Sequence, residues 1–246
     1  MPPAALIAVA HGSRDPRSAA TVSAVVADLA ARHPDLDVRL AFLDLSTPSV
    51  DQVVDGVAAQ GHTRAVVVPL LLGSAYHARV DLPGLLDRAR ARHPRLRIVQ
   101  ADVFGTDSRL ITALRDRVLE TGADPNDSRF GIAVAAVGSS SSTANDRTLR
   151  VGRLLAAGTP WHTSVCFATT EPSLPQAISR LRSEGCDHIV AAPWFLAPGL
   201  LTDRLITGAP HVIHAAPIGN HPLVGDVIAE RYHAAVRLLD IRSAAA

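Results

Sequence analysis

A chain of 246 residues, 48% apolar and 19% charged, is long enough for two ordinary domains or one large α/β unit and can fill a sizeable core. Its net charge is +1, which argues against a broad basic nucleic-acid face and against an acidic solvating tail. A small molecule is the better expectation for a partner, with no nucleic acid.

Taken in chain order, residues 1–5 lack a charged leader followed by a long apolar segment, and no apolar run reaches the roughly 18 residues that span a bilayer. Neither secretion nor membrane insertion is expected. Short apolar runs then alternate with helical patterns. Ala4 to Ala10 reads as a strand followed by a helix to about Arg32, and Val38 to Leu43 as a strand followed by a helix from Pro48. Ala65 to Leu71 precedes a helix from about Arg79, and Leu96 to Ala101 precedes a helix from about Asp107 to Glu120. Strand-helix units in series imply a parallel sheet covered on both faces. Asp15-Pro16 and Thr47-Pro48 each place an N-cap before a Pro at the first helical position.

Residues 121–128, with Gly122, Pro125 and several polar side chains, read as a linker. After it the plan repeats. Gly12-Ser13 falls on Gly138-Ser139 at an offset of 126, while Pro48-Ser49 falls on Pro172-Ser173 and Pro69 on Pro193 at an offset of 124. Gly105 falls on Gly219 at an offset of 114. The fold class is therefore α/β, with two tandem similar domains, 1–122 and 129–246. Each is a four-stranded parallel sheet with helices on both faces, and an active-site cleft is expected between them. Cys166 and Cys186, the only cysteines, form neither a metal knuckle nor a disulfide framework, which points to a reducing, cytoplasmic compartment.

In open parallel sheets ligands collect beyond the carboxyl ends of the strands. There the first half places His11-Gly12-Ser13-Arg14, Asp44, and the segment from Gly73 to Arg79 that contains His77. A lone His is more often solvated or a satisfied core residue. Two imidazoles and a carboxylate on the same side of one sheet instead suit a divalent first-row metal. The offsets put Val137 at the place of His11, Leu201 at that of His77 and Ala168 at that of Asp44, so a single site is expected rather than two. His214 and His221 are weaker reserves; His33, His62, His93 and His188 read as solvated, and His162, His211 and His233 have no evident polar company. In the second half Gly138-Ser-Ser-Ser-Ser142 lies between a strand and a helix, where backbone amides and hydroxyls suit an anion, though an N-cap in a serine-rich loop is an equal reading. Neither GxxxxGK[ST] nor GxGxxG is present, which disfavours a nucleotide.

Leu6-Ile-Ala-Val-Ala-His-Gly-Ser-Arg14, Phe42-Leu-Asp-Leu-Ser-Thr-Pro-Ser49 and Val68-Pro-Leu-Leu-Leu-Gly-Ser-Ala-Tyr-His-Ala-Arg-Val-Asp81 together resemble the CbiX/SirB family of sirohydrochlorin chelatases. The resemblance covers nearly the whole chain, in a double-length form. It implies a chelatase-like, flavodoxin-like fold and ATP-independent insertion of cobalt or ferrous iron, and in related forms nickel, into sirohydrochlorin. That reaction serves sirohaem or cobalamin biosynthesis, with the metal as a substrate. It also implies that His11 and His77 are the active-site pair holding the metal. Asp44 stands where relatives carry Glu, a shorter reach for the third catalytic group. Ser13, Arg14, Arg79 and the loop of Ser139, Ser140 and Ser141 are the expected holders of substrate carboxylates. A monomer is expected, since a duplicated chain contains both halves. The rival reading is a non-enzymatic metal or tetrapyrrole carrier using the same residues.

Overall fold

The computed structural model describes residues 3–73 and 81–244, the last four of these as helix backbone alone. Strands and helices alternate along it: β1 Ala5–Ala10, α1 Pro16–Arg32, β2 Val38–Phe42, α2 Val50–Ala59, β3 Arg64–Pro69, α3 Leu82–Arg92, β4 Arg97–Gln100 and α4 Ser108–Leu119. The second series is β5 Phe130–Ala136, α5 Ser142–Ala156, β6 His162–Phe167, α6 Leu174–Ser183, β7 His188–Pro193, α7 Leu200–Gly208, β8 Ile213–His214 and α8 Pro222–Ala244. Two four-stranded parallel sheets result, in the orders β2-β1-β3-β4 and β6-β5-β7-β8. The α/β class with two similar sheets is therefore as the sequence implies.

The central strand of each sheet is apolar throughout because both its faces are covered. β1 is buried along its whole length. Its residues Ala5, Ile7 and Val9 pack with Val50, Val53 and Val54 of α2 and Leu82 and Leu86 of α3. Side chains alternate along a strand, so Leu6 and Ala8 face the opposite layer of α1 and α8. In the second sheet Ala133, Ala135 and Cys166 pack against Leu174, Ile178 and Leu181 of α6 and Leu205 of α7.

The duplication is visible in backbone detail. Gly12 and Gly138 have φ of 94° and 92°, Gly105 and Gly219 have φ of 60° and 63°, and both Thr47-Pro48 and Glu171-Pro172 are cis. The amide of Phe42 donates to Pro48 O at 2.9 Å and that of Phe167 to Pro172 O at 2.8 Å. Pro48 consequently precedes its helix rather than starting it. Ser49 is the N-cap, closing a reciprocal capping box with Gln52, and Ser173 does the same with Gln176. Asp15 and Pro16 take the N-cap and first-turn positions expected of them.

The compact units differ from the halves expected at 122 and 129. One comprises Met1–Gly105 with Pro222–Ala246, the other Thr106–His221. The helix after β4 thus packs in the second unit and the helix after β8 in the first. Arg115 of α4 donates to the carbonyls of Leu155 and Ala157 at 2.6 and 2.8 Å. In α8 the buried Tyr232 hydroxyl donates to Ala4 O at 2.7 Å, and Asp226 receives Arg32 at 2.6 Å. Gly225 makes room for that arginine, since a Cβ there would lie 2.0 Å from Arg32 Nη2. Among the described residues no helix is long and apolar enough to cross a membrane.

Candidate active site

The loops that leave β1 and β2 are joined through their backbones. The Asp44 amide donates to His11 O at 3.0 Å and the Leu43 amide to Ala10 O at 2.9 Å. Gly12 lies so close to this second loop that a Cβ would stand 1.7 Å from Asp44 O, and its φ of +94° is itself a glycine conformation. The joint continues through Ser46, whose hydroxyl accepts from Ser13 N at 3.1 Å and donates to Ser13 O at 3.0 Å. His11 and Asp44, both exposed, are in this way carried on one fixed platform.

The Asp44 carboxylate is held within it, since Oδ1 accepts the Leu45 amide at 2.8 Å. Leu45 pays for that turn with a left-handed φ of 59°, a conformation that disfavours a branched side chain and tends to occur at functional sites. Arg14 is exposed and has no ion pair among the described residues. The Ser13 hydroxyl accepts from Asp15 N at 3.0 Å, fixing the entry to α1. His77 and Arg79 lie outside the described residues.

Hydrogen bonding also corrects the correspondence between the halves. Thr169 N donates to Val137 O at 3.0 Å as Asp44 N does to His11 O, and Ala168 N donates to Ala136 O at 2.8 Å as Leu43 N does to Ala10 O. The equivalent of Asp44 is Thr169, not Ala168, because the β6–α6 loop is one residue shorter than its counterpart. Val137 is confirmed as the equivalent of His11.

The serine loop is partly spent on its own structure. Ser139 N donates to Asn145 Oδ1 at 2.9 Å, Asn145 Nδ2 returns a bond to Ser139 O at 2.9 Å, and Ser141 N donates to the Ser139 hydroxyl at 3.1 Å. That last bond repeats the one between Asp15 and Ser13. Ser140 and Ser141 are exposed, Ser141 as the N-cap of α5.

Several of the other histidines have local work. His214 Nε2 lies 2.9 Å from Ala209 O and His221 Nε2 lies 3.2 Å from Asp116, so both reserves are tied to structure. His62 meets Asp37 at 2.8 Å and His93 meets Asp55 at 2.6 Å, while His188 packs on the Phe130 ring. His162, expected to lack polar company, lies 3.4 Å from Glu184. Both cysteines are buried. Desolvation pushes the Cys166 thiol up to about 12, which removes it as a thiolate ligand near neutral pH. Among the described residues no three His, Cys, Asp or Glu side chains cluster as a metal site.

The family model described as CbiX matches residues 5–121 and 131–235, which is most of the chain and both sheets. The chain belongs to the CbiX family. Within that family it is similar to a sirohydrochlorin ferrochelatase of Priestia megaterium, 25% identical over 236 residues that cover 92% of this chain and 88% of the other. It is also similar to a sirohydrochlorin cobaltochelatase of the same organism, 29% identical over 204 residues covering 80% of this chain and 65% of the other. Among solved structures, SirB from Bacillus subtilis with Fe3+ superposes with a TM-score of 0.81 at 26% identity, covering 94% of each chain. The tandem pair of parallel sheets is thus shared with that CbiX-type relative.

Proposed function

We propose that this CbiX-family chain inserts ferrous iron or cobalt into sirohydrochlorin without ATP, a step toward sirohaem or cobalamin. The observation that carries the reading is the asymmetry of one repeated joint: His11 and Asp44 stand where the second half has Val137 and Thr169. Matching backbone in both places shows that the joint folds without imidazole or carboxylate. Neither group is thus needed to form the joint, and similarity to a ferrochelatase and a cobaltochelatase over most of this chain supplies the reaction class.

Insertion must strip water from the ion, deliver it to one face of the macrocycle and release two pyrrole N–H protons to solvent. Neutral imidazole binds borderline metals and titrates near neutral pH, so it can hold the ion and accept a proton. In the proposed mechanism His11 and His77 hold the incoming metal and one of them takes a pyrrole proton. Asp44 offsets the charge of the ion, its carboxylate aimed by the Leu45 amide. Substrate acetate and propionate groups are received by Arg14, Arg79 and the hydroxyls of Ser13, Ser139, Ser140 and Ser141. Ser13 and Ser139 can still donate outward while accepting their turn bonds.

The test is anaerobic absorbance with sirohydrochlorin and Fe2+ or Co2+ in large excess over protein. Conversion of many equivalents per chain above the protein-free rate is expected. A change that stops at one equivalent would make the protein a carrier and overturn the catalytic reading.

A further inference from the structure

The loop between β2 and α2 is one residue longer than its counterpart between β6 and α6, although both make the same backbone joint to the neighbouring strand end. The extra length is taken up in a tight turn. Ser46 N donates to Asp44 O at 2.7 Å across Leu45, whose φ is 59°. A bond from the third residue back to the first around a positive φ marks the rare, strained form of the γ-turn. Among the described residues Leu45 is the one non-glycine with a positive φ.

The turn has a structural use, because it brings the Ser46 hydroxyl to Ser13, accepting from Ser13 N at 3.1 Å and donating to Ser13 O at 3.0 Å. The second half secures the equivalent Ser139 through Asn145 instead. Delivering Ser46 needs only backbone, and glycine would make the turn without strain. A leucine at this φ therefore has to be explained by what its side chain touches. It does not fill the core, since Leu45 is 50% exposed. Among the described residues of this unit the other large exposed apolar side chain is Leu238, on α8. Of the two, Leu45 is the one beside the strand ends.

Its neighbours decide what that contact is. The Leu45 amide donates to Asp44 Oδ1 at 2.8 Å, and the Asp44 amide to His11 O at 3.0 Å. The exposed leucine thus belongs to the platform that carries two of the groups proposed for metal insertion. An aliphatic side chain can neither ligate an ion nor hold a carboxylate. What it offers is apolar area to be removed from water, and the carbon framework of a tetrapyrrole ring brought to an ion at that platform is the surface that matches it.

We infer that Leu45 is a substrate contact, packing on the ring carbons of the tetrapyrrole beside the platform of His11 and Asp44; this rests on the insertion reading proposed above. The test is anaerobic titration of metal-free sirohydrochlorin, followed by its own absorbance and fluorescence, into the parent, Leu45→Gly, Leu45→Asn and Leu45→Met. Glycine and asparagine both accept a positive φ, so melting temperatures at or above the parental one are expected. Their affinity for sirohydrochlorin should nevertheless be about fivefold weaker or more, the scale of losing the burial of a half-exposed leucine. Leu45→Met keeps the apolar volume and should stay within about twofold of the parent. In insertion assays the loss should appear in KM, with kcat nearly unchanged. A parent that binds no sirohydrochlorin would overturn the proposed function and this inference with it. A parent that binds, with folded Leu45→Gly and Leu45→Asn at parental affinity, would overturn the inference alone. Lowered melting temperatures in both variants would assign Leu45 to the fold and overturn it too.

Discussion

The Asp44 amide donates to the carbonyl of His11 at 3.0 Å, so the candidate carboxylate and the candidate imidazole are placed by one backbone joint between two strand ends. Gly12 sits inside that joint. An added methyl would meet Asp44 O at 1.7 Å on a backbone already at φ +94°. Gly12→Ala is expected to cost on the order of 3 kcal/mol or more, since strain and a main-chain clash add. Urea unfolding checks this; an unchanged midpoint would show that the two loops can part freely.

Asp44→Asn keeps an oxygen to accept the Leu45 amide and removes the charge. Metal insertion should fall about tenfold or more, the scale of one positioned charged group in proton or metal transfer, with thermal stability nearly unchanged. Initial rates and melting curves on the same preparation separate the two effects. Loss of fold with retained specific activity would assign Asp44 to structure.

The exchange of α4 and α8 between units predicts that the chain cannot be cut at its linker. A fragment of residues 1–122 would lack α8 and with it the Tyr232 bond to Ala4 O and the Asp226 pair with Arg32. It should show no cooperative unfolding by circular dichroism. In the full chain, Tyr232→Phe leaves Ala4 O without its buried donor and should cost about 1–2 kcal/mol. A cooperative fragment would contradict this division of the fold.

The Arg39 guanidinium holds the Asp37 carboxyl below its ordinary range, with desolvation opposing and His62 assisting. A carboxylate depressed in the folded state contributes stability that is fully present above its unfolded pKa, about 3.9. That contribution is lost as pH falls through the lower folded value. Asp37→Asn should therefore be less stable than the parent at pH 5 to 7, by a modest amount because the pair is partly exposed. The difference should close below about pH 4. Unfolding at stepped pH tests the sign; a gap that widens in acid would refute it.

Much of this was legible in the residues because repetition constrains backbone. Gly12 and Gly138, Pro48 and Pro172, and Gly105 and Gly219 fall at equivalent turns with matching conformations, and the buried β1 read directly as a strand covered on both faces. The exchange of helices was not legible. Leu110, Leu114 and Val118 give α4 an apolar stripe that would suit either sheet, and periodicity reports a buried face without naming what buries it. The helix start after Pro48 was misplaced because proline suits a first helical position, whereas Ser49 and Gln52 satisfy the end amides as a capping box. The counterpart of Asp44 was misplaced by one residue, since a loop deletion shifts the offset and only hydrogen bonding shows where. At the candidate site the platform of His11 and Asp44 followed from strand order, while the internal bonding of the serine loop through Asn145 depended on a side chain six positions away.

The central claim, that His11 and its partner His77 carry metal insertion, is tested most directly by initial rates of Fe2+ and Co2+ insertion into sirohydrochlorin under anaerobic conditions. His11→Ala and His77→Ala would be compared with the parent after each is shown to fold. A fall of about a hundredfold or more in both variants is predicted, with the parental melting curve retained. Folded variants that insert either metal at the parental rate would contradict it.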